Sequence, residues 1–331
     1  MTPGSHMRAE IAEAAGVFAR ALTNIPTLAT LNLARITALY TIARGSSDAA
    51  ANILSYEFMR ELGKPMTSLP PSIFSLGHGV SLSNTLALIV SQSGASEDLV
   101  RSARGAREAG ATVIAITNQS ASAVERQAAF TLPINAGPEL AVPATKTVIG
   151  SIAAGMALLS ALNPMYRSRA QSSAHALHAA PGTHPQASNI IQALTAARHV
   201  YVIGRDTGYG AAQELALKIK ETCALHAEAY SSSEVLHGPL QLATNPLLTL
   251  ILDTGQPDVQ ASLDTAGARF RATGGPVFRL RPADVGVTGL TPAAAAALLL
   301  CLTYPIVLET ALALGHDPDR PATLSKVTQT T

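Results

Sequence analysis

Six consecutive residues, Ser91-Gln92-Ser93-Gly94-Ala95-Ser96, place three hydroxyls, a carboxamide and a glycine in one stretch. They follow an apolar run over 85–90 and lead into a helical pattern over 97–109. A strand, a hydroxyl-rich turn and a helix start together suit an anion. Exposed amides and the helix dipole attract it, and serine and glutamine add donors without adding charge. Such a cradle holds a phosphorylated ligand reversibly, where arginines would clamp it. A second pair, Ser46 and Ser47, follows another apolar run in Arg44-Gly45-Ser46-Ser47. Serines also cap helices, and for Ser46 and Ser47 both readings stand. A cap uses one hydroxyl, so capping leaves most of the 91–96 stretch unexplained.

Three further groups could move protons or meet a carbonyl. Lys218 and Glu221 lie three residues apart on a helical pattern and so share a face. Their neighbours Leu215, Leu217, Ile219, Cys223 and Leu225 are apolar, which marks the helix as largely buried. The pair reads either as an ordinary ion pair or as a carboxylate base tuned by burial and an adjacent ammonium. His237 precedes Gly238-Pro239, at a turn, where an imidazole can exchange protons near neutral pH or simply tie a loop. His226 has no such setting and is read as structural. Lys326 stands alone in the tail Pro321-Ala-Thr-Leu-Ser-Lys-Val-Thr328. A lysine there is either solvated or, with its amine deprotonated, able to form a Schiff base with a ketose.

The elements that must hold these groups alternate. Strand patterns cover 36–43, 85–90, 111–116 and 130–134, with helical patterns over 47–62, 97–109, 121–128 and 145–162. The pattern resets across 163–185, a connection with room for one helix. Strands over 199–203, 247–252 and 276–280 then alternate with helices over 209–225, 256–273 and 292–314. Ile42-Ala-Arg-Gly-Ser-Ser47 and Ile203-Gly-Arg-Asp-Thr207 repeat one plan, so the expected fold is α/β. It is a duplicated three-layer α/β/α sandwich with parallel sheets, divided as 1–35 (helical), 36–163, 164–185 and 186–331. In open parallel sheets ligands sit at the carboxyl ends of strands. If the first and third strand patterns are neighbours, both serine stretches converge there.

Composition bounds the rest. Charged residues are 14% of the 331 and apolar ones 47%, which implies heavy burial in two ordinary-sized domains. A net charge of +1 leaves no electrostatic footprint for nucleic acid. Cys223 and Cys301 lie in apolar helical patterns, fitting a reducing, cytoplasmic setting. Residues 1–21 carry Arg8, Glu10, Glu13 and Arg20 and do not read as a signal peptide, and Gly4-Ser5-His6-Met7 has the look of a cloning remnant. The uncharged stretch 291–308 is read as a buried helix rather than a membrane span. His175, His178 and His184 have no metal-site spacing, and no glycine fingerprint supports a nicotinamide enzyme.

Taken in order, several motifs resemble the sugar isomerase (SIS) family over nearly the whole chain. They are Ser91-Gln-Ser-Gly94, the 218–221 segment with His226-Ala-Glu-Ala-Tyr230, Glu234-Val-Leu-His-Gly-Pro239 and Leu324-Ser-Lys-Val-Thr328. Within that family the likeness is to the isomerase half of glucosamine-6-phosphate synthase and to stand-alone glucosamine-6-phosphate deaminases. The resemblance implies that Ser46, Ser47, Ser91, Gln92, Ser93 and Ser96 hold the phosphate and hydroxyls of a hexose 6-phosphate. Val142 would line the pocket through its backbone, Glu221 would carry the proton between C1 and C2, and Lys218 would support it. His237 would open the sugar ring, often from a neighbouring subunit, and Lys326 would contact the open-chain sugar. A homodimer is implied, and no metal or organic cofactor. Arg44 stands where the synthases have cysteine, and Leu236 where they have lysine. Only about 35 residues precede the first strand pattern, with no glutaminase domain among them. The expected reaction is therefore glucosamine 6-phosphate and water giving fructose 6-phosphate and ammonia. Another phosphosugar isomerase, a deglycase, a synthase-like aminotransferase and a sugar-phosphate sensor without turnover are the alternatives.

Overall fold

Both strand series form parallel sheets. The computed structural model describes residues 2–28 and 31–326. The chain opens on α1 (Ser5–Thr23) and enters the first sheet through β1 (Ala38–Ile42), α2 (Gly45–Leu62), β2 (Met66–Ser68) and α3 (Ser72–Ser75). Next come β3 (Thr85–Val90), α4 (Glu97–Glu108), β4 (Thr112–Thr117) and β5 (Phe130–Pro133). Helices α5 (Lys146–Leu162), α6 (Pro164–Ala179) and α7 (Ala187–Ala196) lead to the second half. It contains β6 (His199–Gly204), α8 (Thr207–Cys223), β7 (His226–Ser231), β8 (Leu248–Leu252), α9 (Gln260–Ala272), β9 (Val277–Leu280) and α10 (Pro292–Ala313). The sheet orders are β2-β1-β3-β4-β5 and β7-β6-β8-β9. In the first, Ile42 of β1 stands beside Ile89 of β3, so the turns after both strands flank the point where the strand order reverses.

Several elements differ from the sequence expectation. The 163–185 connection is mostly the helix α6, capped by the Asn163 side chain with Pro164 in its first turn. Helix α7 was not expected. The helix expected over 121–128 is only a 3-10 turn at Glu125–Gln127. The edge strands β2 and β7 have no apolar run to announce them, because an edge needs only one covered face. Residues 4–7 are built into the fold: Met7 is fully buried, and the Asp319 carboxylate caps the His6 and Met7 amides at 2.9 and 2.8 Å.

Helix α10 is long and apolar enough to cross a membrane, yet 78% of its most apolar window is covered by the rest of the fold. It packs on α7, α8, α1 and α5. Burial pushes the Cys223 and Cys301 thiols up to about 11 and about 12, which leaves neither reactive near neutral pH.

The join between the halves runs along α2 and α8. A Cβ on Gly210 of α8 would lie 2.6 Å from Ile53 Cγ1 and 2.8 Å from the Ile53 amide nitrogen, so glycine sets how closely these helices approach. At the start of α8, Asp206 takes a left-handed φ of +56°; its carboxylate caps the Thr207 amide at 2.7 Å and pairs with Arg60 of α2 at 2.6 Å.

Glu57 of α2 is fully buried, accepting from the Tyr166 hydroxyl at 2.7 Å and from the Ala293 amide at 3.2 Å. Burial pushes its carboxyl from 4.5 up to about 7, against the pull of those two donors. A folded-state value above the unfolded one means that its contribution to stability is full below 4.5 and is lost as pH rises through about 7. Glutamine fits the same site, accepting from Ala293 and donating to Tyr166. Between about pH 5 and about pH 8 the parent protein is therefore expected to lose stability against Glu57→Gln, by up to about 3 kcal/mol. Urea midpoints at the two pH values measure this, and parallel pH dependences would contradict it.

Candidate functional site

Two clusters of candidate residues lie on and beside α2 and α8. The first is the hydroxyl cradle at the carboxyl ends of β1 and β3. Gly94 turns at φ +59°, and a Cβ there would strike Ser122 Oγ at 2.4 Å and Thr117 Oγ1 at 2.9 Å. Ser91 is buried and its Oγ accepts from the Gly94 amide at 3.2 Å; Ser93 Oγ accepts from the Ala95 amide at 3.3 Å. These bonds shape the turn and leave both hydroxyl protons to donate outward. Gln92, half-buried, uses its backbone carbonyl on Asn118. Ser96 is the N-cap of α4 but makes no side-chain capping bond. Neither Ser46 nor Ser47 caps α2, whose N-cap is Arg44. The capping alternative for these serines is not what the fold uses.

The second cluster lies on α8. Lys218, 1% exposed, donates to the Glu221 carboxylate and lies 3.8 Å from Glu214. Burial opposes its charge, but Glu214 and Glu221 outweigh burial and hold the ammonium above the ordinary lysine range. Glu214 is fully buried, and burial pushes its carboxyl up to about 7, with Lys218, Ser46 and Tyr304 opposing. Its Oε1 accepts from the Tyr304 hydroxyl at 3.2 Å, and the Ser46 hydroxyl lies close enough to favour the ionised carboxyl. Its Oε2 has no hydrogen-bond partner among the described residues. Glu221 is partly exposed and borders a groove of about 480 Å³ shared with Arg320 and Leu324.

The tail closes one side. Lys326 Nζ donates to Glu139 Oε2 at 3.1 Å and to the Ala141 carbonyl at 2.7 Å. Glu139 is buried, also accepts from the Thr145 and Thr147 amides, and acts electrostatically on Lys218 and Tyr304. The Val142 amide donates to the Asp319 carbonyl at 3.1 Å, and Glu10 accepts from the Leu140 and Ala141 amides. The loop carrying Val142 is thus fixed from both ends of the chain. Val327 and Thr328 of the tail motif lie outside the described residues.

The model of the SIS domain matches residues 32–161 and 193–289, one segment on each sheet. The chain belongs to the SIS domain family. A glutamine–fructose-6-phosphate aminotransferase (isomerizing) of Halobacterium salinarum is 30% identical over 321 residues, covering 90% of this chain and 53% of that protein. The chain thus spans about half the length of the curated relatives it matches. A candidate phosphosugar isomerase from Silicibacter pomeroyi superposes with a TM-score of 0.83 at 34% identity, covering 95% of this chain and 99% of that one. Glucosamine-6-phosphate deaminase from Thermotoga maritima shares the fold, with a TM-score of 0.78 at 21% identity over 98% and 100% of the two chains. In sequence and architecture the chain is a phosphosugar-isomerase-like SIS protein.

In this SIS protein Lys326 bonds the loop that carries Val142, Glu139 of that loop acts on Lys218, and Ser46, in the turn after β1, approaches Glu214 of α8. His237 does not join them. It ends the 3-10 turn Glu234–His237, exposed, and no hydrogen bond or ion pair ties it to Lys218, Glu221 or Lys326 among the described residues. Sequence reasoning missed Glu214, Glu139 and Tyr304. For Glu214 a signal existed: residues 214, 218 and 221 form one charged stripe, spaced four and three apart, on an otherwise apolar helix face. Nothing marked Glu139, whose partners come from a loop and a tail. Among the described residues no group of three His, Cys, Asp or Glu side chains is placed to hold a metal ion.

Proposed function

We propose that this SIS protein is an amino-sugar phosphate deaminase, converting glucosamine 6-phosphate and water to fructose 6-phosphate and ammonia. The packing of α2 on α8, which brings Ser46 close to Glu214, carries the reading, because it sets the turn after β1 beside the α8 carboxylates. Likeness in fold to a glucosamine-6-phosphate deaminase over both chains is compatible with the reading. The SIS halves are taken as 36–163 and 186–331, with 1–35 and 164–185 packed against them.

The phosphate rests on Ser47, Ser91, Gln92, Ser93 and Ser96, and Ser46 faces the sugar. Ring opening exposes C1 as an aldehyde, and His237, supplied by a second copy of the chain in a homodimer, is the acid–base group for it. The carboxylate of Glu221 removes the C2 proton and returns it to C1. Lys218 steadies the charge that develops on the C1 oxygen, and Glu214 holds Lys218 in place. Proton transfer leaves an imine at C2. Water adds to it, ammonia departs, and the ketone of fructose 6-phosphate remains. Lys326 and the Val142 carbonyl bound the open chain.

Ammonia release measured across a panel of amino-sugar 6-phosphates tests this. Release from glucosamine 6-phosphate, with the reverse reaction from fructose 6-phosphate and ammonium, is the expected result. Release only from amine–sugar phosphate adducts would favour a deglycase. Aldose–ketose exchange without ammonia would favour an isomerase, and tight binding without turnover a sensor.

A further inference from the structure

The phosphate cradle was expected to be neutral, yet an arginine spans its rim. Arg44 is the N-cap residue of α2, in the turn after β1. Its side chain crosses to the first turn of α4, where Nε donates to the Asp98 carboxylate at 2.6 Å. It therefore runs between the two helix N-termini that flank the reversal of strand order. Nη1 and Nη2 have no hydrogen-bond partner among the described residues, and the side chain is 49% exposed. The carboxylate that holds it is fully buried.

The other charges at this rim are accounted for. Glu97, in the same turn of α4, is paired with Arg101 at 2.9 Å. An anion entering the cradle would lie near exposed Glu97 and buried Asp98, which Arg101 and Arg44 respectively offset. Arg101 is one turn further along α4, whereas Arg44 stands at the mouth of the turn before α2. A guanidinium oriented through Nε presents its two outer nitrogens as a fork, which matches two oxygens of a phosphate.

We infer that Arg44 is a ligand-binding residue of the cradle: Asp98 orients it through Nε, and its Nη1 and Nη2 receive the phosphate monoester that the serines hold. The assignment rests on the phosphosugar reading of the pocket. It makes the site selective for a doubly charged phosphate end over an unphosphorylated sugar.

Calorimetric binding of fructose 6-phosphate to the intact protein tests this without turnover, at low and high salt. Arg44→Cys is expected to bind roughly tenfold to a hundredfold more weakly at low salt and to lose most of the salt dependence shown by the parent. Arg44→Lys is expected to keep the salt dependence and recover part of the affinity, and it serves if the cysteine variant folds poorly. Unchanged affinity in Arg44→Cys would overturn the assignment. Weaker binding with the parent's salt dependence would also overturn it, since it would show that Arg44 only ties two turns together. No binding of fructose 6-phosphate by the unaltered protein would refute the phosphosugar reading itself, and the role of Arg44 with it.

Discussion

Glu221→Gln is expected to lower turnover by about 10²–10⁴-fold while KM for the sugar phosphate stays within a few-fold. The reason is a division of labour. In the proposed mechanism the turns after β1 and β3 hold the anion, whereas Glu221 lies on the last turns of α8. Glutamine keeps the shape of the side chain and cannot take a proton. The fold should tolerate it, because the carboxylate is partly exposed and Lys218 retains Glu214 as a partner. A second readout separates chemistry from positioning. In heavy water the parent should wash deuterium into C1 of fructose 6-phosphate, since the same base works in both directions. The variant should not. Full exchange by Glu221→Gln would remove this residue from the proton transfer and leave the base to be sought elsewhere in the pocket.

What the sequence revealed follows burial. Strands β3, β4, β6 and β8 are buried along nearly their whole length, so they read as largely apolar runs and could be placed within a residue or two. Strand β7 is a half-exposed edge of His-Ala-Glu-Ala-Tyr-Ser, which carries no such run. The turn over 91–96 was legible because its hydroxyl residues are contiguous and sit between an apolar strand and a helix start. Two features of the site were not. Glu139 reaches Lys326 across 187 residues, a contact that only the folded path of the tail creates. Arg44 looked like a departure from the cysteine of related synthases, and only its bond to Asp98 shows where the guanidinium lies.

His237 marks a different limit. Its turn, Ser233-Glu-Val-Leu-His-Gly-Pro239, was legible, and Val235 anchors it in the core below β6 and β8. Arg205 steadies the preceding stretch by donating to the Ser231 and Ser233 hydroxyls. This support fixes the backbone of the turn but leaves the imidazole exposed. Among the described residues no hydrogen bond or ion pair ties the imidazole to the α8 carboxylates or to Lys326, so the proposed mechanism is short of its ring-opening group within one chain. That shortfall is what the homodimer in the proposed mechanism supplies.

Lys218→Met is expected to have the largest effect on stability. Methionine fills much the same volume, so the loss is chiefly that of the charge. In the parent, the ammonium lies between the fully buried Glu214 and the partly exposed Glu221. Removing it leaves two carboxylates facing each other with no cation, and breaking a buried pair from one side costs about 3–5 kcal/mol. The pH dependence identifies the cause. Glu214 is already held up at about 7 by burial, and losing Lys218 raises it further. A folded-state value above the unfolded 4.5 favours the folded protein fully at low pH, and the benefit is lost as pH rises through the folded value. Near pH 5 Glu214 is protonated in both folded proteins, so the deficit of the variant should be small there. It should widen above about pH 7, where the parent can ionise Glu214 beside Lys218 and the variant cannot. Urea midpoints at about pH 5 and about pH 8 measure the difference. A deficit equal at both values would mean that Lys218 contributes packing alone, and that the charged stripe on α8 is not coupled as the site requires.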